Sequence, residues 1–217
     1  MIAIVDYGMG NLHSVKRKLD QLGAVAVITS DPKEIEQAAK LILPGVGHFG
    51  KAMEKLNALG IRDILDQAVI ERGIPVLGIC LGMQLMAKTS EEGLEQGTRN
   101  KEQGVRSKEQ GLGWFDAEVL RLEVKDSLRF KIPHTGWNTV EIEKEDKLFE
   151  GIGENPEFYF VHAYHFKPND ANDVLATTQH EASFVSAVSR GNIYGVQYHP
   201  EKSHDTGMKL LENFVRL

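Results

Sequence analysis

Over the first third of the chain, apolar residues fall in short unbroken runs separated by amphipathic stretches. The runs at 2–6, 25–29, 41–43 and 75–79 read as strands, because each is too short for a buried helix and is rich in Val, Ile and Leu. Apolar residues recur with helical spacing over 11–22, 49–59 and 61–72, and Asp31-Pro32-Lys33-Glu34 opens a further helix with an N-cap and an early proline. Unbroken apolar strands alternating with amphipathic helices predict a parallel sheet covered on both faces. The second half changes character. Short β-type runs at 115–124, 139–142, 158–161, 174–178, 184–189 and 193–197 precede a last helix at 205–216. They predict antiparallel pairing at the sheet edge or in a small accessory sheet. The expected fold is one α/β domain over 1–217, with a mixed, mostly parallel central sheet, helices on both faces and a small accessory β region. The segment 93–111 stands apart. Leu94-Glu95-Gln96-Gly97 is followed by Lys101-Glu102-Gln103-Gly104 and Lys108-Glu109-Gln110-Gly111, a charged, glycine-rich repeat that predicts an exposed loop.

Composition narrows the function classes. The chain has 217 residues, 41% hydrophobic and 26% charged, as in ordinary globular proteins. A net charge of -6 disfavours a nucleic-acid partner. Its one cysteine forms no internal disulfide. The N-terminal run meets Asp6 without a basic leader, and no apolar run reaches membrane-spanning length, so a cytoplasmic protein without membrane contact is expected.

That cysteine changes the picture most. Cys80 lies in Gly78-Ile79-Cys80-Leu81-Gly82, where a strand runs into a turn and then a helix, the layout of a nucleophile elbow. Gly78 and Gly82 keep side-chain bulk out of the crossing, and the new helix is expected to favour thiolate at the sulfur. A nucleophile needs a base and the base an orienter. Tyr198-His199-Pro200-Glu201 offers both: proline keeps His199 extended, and residues two apart in an extended chain share a side, which brings Glu201 to the imidazole. Pro44-Gly45-Val46-Gly47 follows the third strand and, with the Leu81 amide, supplies candidate oxyanion donors. Gly45, Gly47 and Gly50 also spell Gly-x-Gly-x-x-Gly. That leaves a dinucleotide-binding module as a rival, although the fingerprint belongs after the first strand. His162 and His165 have no third ligand at familiar spacing, and a structural role is expected for them. No metal or cofactor is expected.

Together these motifs resemble the class I (triad-type) glutamine amidotransferases. Within that family the resemblance is to the glutaminase subunits of imidazole glycerol phosphate synthases. It runs nearly end to end, carried by the Cys80 and His199 segments with Asp6-Tyr7-Gly8-Met9-Gly10-Asn11, Pro44 to Gly50, Pro133-His134-Thr135-Gly136-Trp137-Asn138 and Phe158-Tyr159-Phe160-Val161-His162-Ala163-Tyr164. The resemblance implies catalysis by Cys80, His199 and Glu201, with an oxyanion donor from the strand holding Gly47. It implies glutamine held by Gln84 and Glu92, and a (β/α)8-barrel cyclase subunit meeting Asn11, Trp137 and Lys202 and receiving ammonia. For Trp137 a core aromatic and an interface residue both remain open. A sibling enzyme that amidates surface sugars is the alternative acceptor. Ala163 stands where a hydroxyl residue is common in the family.

Overall fold

In a computed structural model of the chain, residues 1–93 and 108–217 are described. Strands β1 (Ile2–Val5), β2 (Ala26–Thr29), β3 (Lys40–Gly45) and β4 (Val76–Cys80) alternate with helices α1 (Leu12–Gln21), α2 (Pro32–Glu36), α3 (Phe49–Ala58) and α4 (Ile61–Asp66). Asp31 caps α2 by accepting from the Lys33 N–H at 2.8 Å, as its position before Pro32 predicts. After α5 (Leu81–Leu85) come β5 (Ala87–Ser90), β6 (Glu109–Gln110), β7 (Phe115–Arg121), β8 (His134–Thr139), β9 (Glu141–Ile142), β10 (Glu157–His162), β11 (Tyr164–Pro168), β12 (Val174–Gln179), β13 (Ser183–Arg190), β14 (Ile193–Val196) and α6 (His204–Arg216).

The main sheet runs β2-β1-β3-β4-β14-β13-β11-β7-β5-β6. Every pair from β2 to β14 is parallel. Beyond β14 the β13, β11 and β7 pairings are antiparallel, and β8 and β10 form the accessory two-stranded sheet. Alternation along the strands divides the core. Ala3, Val5, Leu41, Leu43 and Val76 face α3 and α4, while Ile2, Ile4, Ile42, Leu77 and Ile79 face α1, α6 and the β8–β10 pair. Each Val, Leu or Ile among them contributes roughly 1.5–3 kcal/mol when fully buried, so register is held from both faces. The consequence for function is positional. Tyr7, Pro44 to Gly47, Cys80 and the segment after β14 all gather at the carboxyl ends of adjacent parallel strands, where open α/β sheets carry their sites.

Two expectations need correction. The segment 93–111 is not wholly an exposed loop. Residues 94–107 lie outside the described ones, but Glu109–Gln110 pair with β5, and Gly93 and Gly111 are buried. Gly111 has no room for a side chain, since a Cβ there would lie 2.1 Å from the Ala87 carbonyl oxygen. The run predicted at 139–142 is offset: the long strand is β8, which ends at Thr139. The helix after Cys80 has only five residues.

Candidate active site

The turn at Cys80 is built as its glycines require. Cys80 adopts φ 55°, a left-handed conformation that costs an L-residue energy and persists where the surroundings enforce it. Gly45 on β3 is in register with Cys80 on β4, and α5 crosses directly over this pair. A Cβ on Gly82 would lie 1.7 Å from the Leu43 carbonyl oxygen, and one on Gly78 would lie 2.8 Å from the Gly82 carbonyl. Because α5 stops after five residues, few peptide dipoles align behind the sulfur, and the expected helix contribution to a thiolate is correspondingly small.

The charge facing the sulfur comes from His199. Its Nδ1–H donates to Glu201 Oε1 at 2.8 Å, and both side chains are 2% exposed. Burial disfavours the imidazolium, but hydrogen bonding and charge from Cys80 and Glu201 outweigh it and raise the pKa to about 9. Nε2 is the ring nitrogen left to the Cys80 thiol, although the geometry falls short of an aligned hydrogen bond. Backbone bonds fix the imidazole: the His199 N–H donates to the Tyr159 carbonyl at 2.9 Å, and its carbonyl accepts from the Ser203 hydroxyl at 2.6 Å. Glu201 arrives by a different route from the extended alternation expected. His199 is extended, but Pro200–Lys202 form a turn of 3-10 helix that swings the carboxylate back.

A pocket of about 340 Å³ opens at the sulfur, lined among others by Val46, Gly47, Leu81, Gln84, Glu92 and Ala163. Gly47 sits at φ 111°, and only a residue without Cβ takes that conformation readily. The Tyr7 hydroxyl fastens the same segment, donating to the Pro44 carbonyl at 2.8 Å. Glu92 Oε2 accepts from the Phe49 N–H at 2.7 Å at the start of α3. Burial raises its pKa, while the Phe49 N–H and His48 act the other way. Gln84 donates from Nε2 to the Tyr164 carbonyl and to Gln197 Oε1, both at 3.0 Å. A larger cleft of about 1030 Å³ lies at the opposite end of β4, beside Pro75. Its lining holds no cysteine, serine or histidine.

The sequence model for glutamine amidotransferase class-I matches residues 3–217. The chain belongs to this family. It is 47% identical over 216 residues to imidazole glycerol phosphate synthase subunit HisH 2 of Methanococcus maripaludis, covering 100% of this chain and 99% of the relative. It is 48% identical over 217 residues to the HisH subunit of Pyrococcus furiosus, covering 100% and 98%. A solved glutamine amidotransferase covers 100% of both chains with a TM-score of 0.71 at 20% identity, a likeness of fold. Membership sets aside the dinucleotide-binding rival. Gly45 is there for close packing, since a Cβ would lie 2.4 Å from the Tyr7 hydroxyl.

The remaining positions of this amidotransferase chain divide cleanly. Trp137 is 45% exposed and stacks on His204 at 4.9 Å, so its core reading is corrected. It also meets Tyr159, over whose ring the Lys202 ammonium sits at 5.6 Å. Asn11 is exposed at the start of α1, which packs against the Pro200–Lys202 turn. His162 and His165 diverge: the first lines the Cys80 pocket, the second a separate one with Glu91 and His180. His162 is held by its Nδ1–H on the Tyr164 carbonyl at 2.8 Å and by His134 at 3.1 Å. Burial and neighbouring histidines lower His162 to about 3 and His134 to about 4, so both rings are neutral at pH 7. Among the described residues no group of His, Cys, Asp and Glu side chains suits a metal, and no helix is long and apolar enough to cross a membrane. Sequence reasoning missed Gln197, which is fully buried beside the sulfur. Its contacts with Gln84 and Cys80 join residues more than a hundred positions apart, so no local spacing signals it.

Proposed function

We propose that this chain is the glutaminase subunit of an imidazole glycerol phosphate synthase. It hydrolyses glutamine to glutamate and ammonia and delivers the ammonia to a (β/α)8-barrel cyclase. The observation that carries the reading is the buried line Cys80–His199–Glu201 opening into a glutamine-sized pocket. The Cys80 thiolate attacks the side-chain amide carbon of glutamine, and the oxyanion is met by backbone N–H groups near Gly47 and Leu81. His199 Nε2–H protonates the departing nitrogen as the C–N bond breaks, leaving a glutamyl thioester. Water then gives a proton to His199 and adds to the thioester carbon. The C–S bond breaks, glutamate leaves and the thiolate is restored. Glu201 holds the imidazole's tautomer and charge throughout. In the pocket, Glu92 suits the substrate's α-ammonium group and Gln84 offers an acceptor.

The cyclase would convert this ammonia and a phosphoribulosyl-formimino nucleotide into imidazole glycerol phosphate and aminoimidazole carboxamide ribotide, in histidine biosynthesis in the cytoplasm. The exposed cluster of Asn11, Trp137, Lys202 and His204 fits its docking surface, because exposed aromatics and cations in one patch favour interfaces. A glutamine analogue with an electrophilic diazoketone in place of the amide tests the pocket. The expected result is one covalent adduct on Cys80, suppressed by glutamine. Labelling that is indifferent to glutamine, or no labelling of folded protein, contradicts the proposal.

A further inference from the structure

A chain of amide groups leads from a backbone carbonyl to the nucleophile, and its polarity is forced. The Tyr164 carbonyl can only accept, so the Gln84 group facing it at 3.0 Å must be the NH2. The second N–H of that NH2 points at Gln197 at 3.0 Å, which must therefore present its oxygen. The NH2 of Gln197 is left facing Cys80 Sγ, at 3.7 Å. Reversing Gln84 would set two acceptors against each other at Tyr164, and reversing Gln197 would set two NH2 groups against each other at Gln84. Gln197 is fully buried, and its backbone N–H donates to the Ser186 carbonyl at 2.9 Å. Both N–H groups of Gln84 are committed inside the protein, and what it offers the pocket is its carbonyl oxygen.

We propose that Gln197 is a positioning residue of this site: its amide holds a donor on the Cys80 sulfur, which favours thiolate, and fixes Gln84 with its acceptor toward the substrate. This rests on the glutaminase reading for its substrate consequences, and on geometry alone for its effect on the thiol. A donor serves a sulfur that must carry negative charge before attack and again when the thioester is released. Presenting the Gln84 oxygen selects a ligand with N–H groups at that position, as glutamine has in both its amide and its ammonium group.

The test uses the full chain, whose only cysteine is Cys80, so thiol alkylation by iodoacetamide reports that residue alone. The titratable groups around the sulfur are His199 with Glu201 behind it, Tyr7 from the end of β1, Glu92 after β5 and His162 from β10. None of them hydrogen-bonds to the Gln197 side chain, which meets Gln84 and Cys80. Gln197→Glu puts a carboxylate oxygen against the sulfur, and Gln197→Met keeps the size but removes the donor. Alkylation rate against pH is expected to shift its midpoint upward in both, with thiolate at a given pH falling about tenfold in the Glu variant and less in the Met variant, since a hydrogen bond to a charged group is at stake. In glutamate release by the assembled synthase, kcat is expected to fall by a similar factor and KM for glutamine to rise. A merely structural role would lower the melting temperature without moving the alkylation midpoint. Midpoints that superimpose on the parent, in variants that melt cooperatively, overturn the proposal. If the parent releases no glutamate at all, the glutaminase reading fails while the alkylation profiles still decide the role of Gln197 at the sulfur.

Discussion

Gly82→Ala probes how the elbow is held more sharply than loss of the nucleophile does. The added methyl would sit 1.7 Å from the Leu43 carbonyl oxygen and 2.7 Å from its carbon. Ordinary contact needs more than 3 Å, so α5 and the end of β3 must separate by roughly 1.5 Å. Neither side is a side chain that can rotate away, because Leu43 presents backbone of the parallel sheet and Gly82 is backbone of α5 packed on it. Overpacking of this kind costs about 1–3 kcal/mol, and more where backbone must move. At the upper figure, a chain of this size loses about 6–12 °C in melting temperature. The same displacement separates Cys80 from Gly45, its register partner and the root of the proposed oxyanion strand. A misplacement near 1 Å costs on the order of a hundredfold in turnover. Thermal unfolding followed by circular dichroism, together with glutamate release, measures both. Gly153→Ala is the control, as nothing lies within 4 Å of a Cβ there and its φ is not positive. A Gly82→Ala protein that melts with the parent and turns over at the parent's rate would refute the account of the elbow.

Glu201→Gln keeps the shape of the orienter and removes its charge. His199 then loses the charge of its partner at 2.8 Å, and kcat for glutamine hydrolysis should fall at least about a hundredfold, the low end for general acid–base catalysis, with KM little changed; steady-state kinetics check this, and a kcat near the parent's contradicts it. The raised pKa of His199, about 9, fixes the sign of two pH effects. Turnover should persist through neutral pH and decline as pH rises through about 9, where His199 loses the proton it gives to the departing amide nitrogen. The stability His199 contributes is fully present below its unfolded pKa of about 6.5 and is lost as pH climbs toward 9, so the melting temperature should fall over that interval, and less in His199→Asn. Trp137→Ala should weaken binding of the cyclase subunit by about tenfold or more by calorimetry, since a half-exposed aromatic in a patch is a typical anchor; unchanged affinity would remove Trp137 from the interface.

The parts of the fold that could be read from sequence are those buried on both sides. Strands β1, β3 and β4 appear as unbroken apolar runs because no residue in them faces water for long. β5 and β11, as Ala87-Lys88-Thr89-Ser90 and Tyr164-His165-Phe166-Lys167-Pro168, carry polar groups and were not recognised as strands, and β8 mixes a glycine with exposed residues. The early end of α5 left no mark either, since Leu81 to Ala87 is nearly all apolar and buried, which hides the change from helix to strand. At the site, Cys80, His199 and Glu201 were legible because elbow and dyad each have a local spacing. Gln197 and Tyr7 were not, because their contacts join residues far apart in sequence: Gln197 to Gln84 and Cys80, and Tyr7 to Pro44. Such contacts exist only once the strands are side by side.

The central claim, a Cys80-dependent glutaminase that serves a cyclase, is tested most directly by glutamate release from glutamine. The chain is assayed alone, with the (β/α)8-barrel subunit, and with that subunit and its nucleotide ligand, each beside Cys80→Ala. The account predicts slow release alone, a steep rise with subunit and ligand together, and none in the Cys80→Ala protein. Release that survives Cys80→Ala, or folded protein that releases no glutamate under any of these conditions, would contradict it.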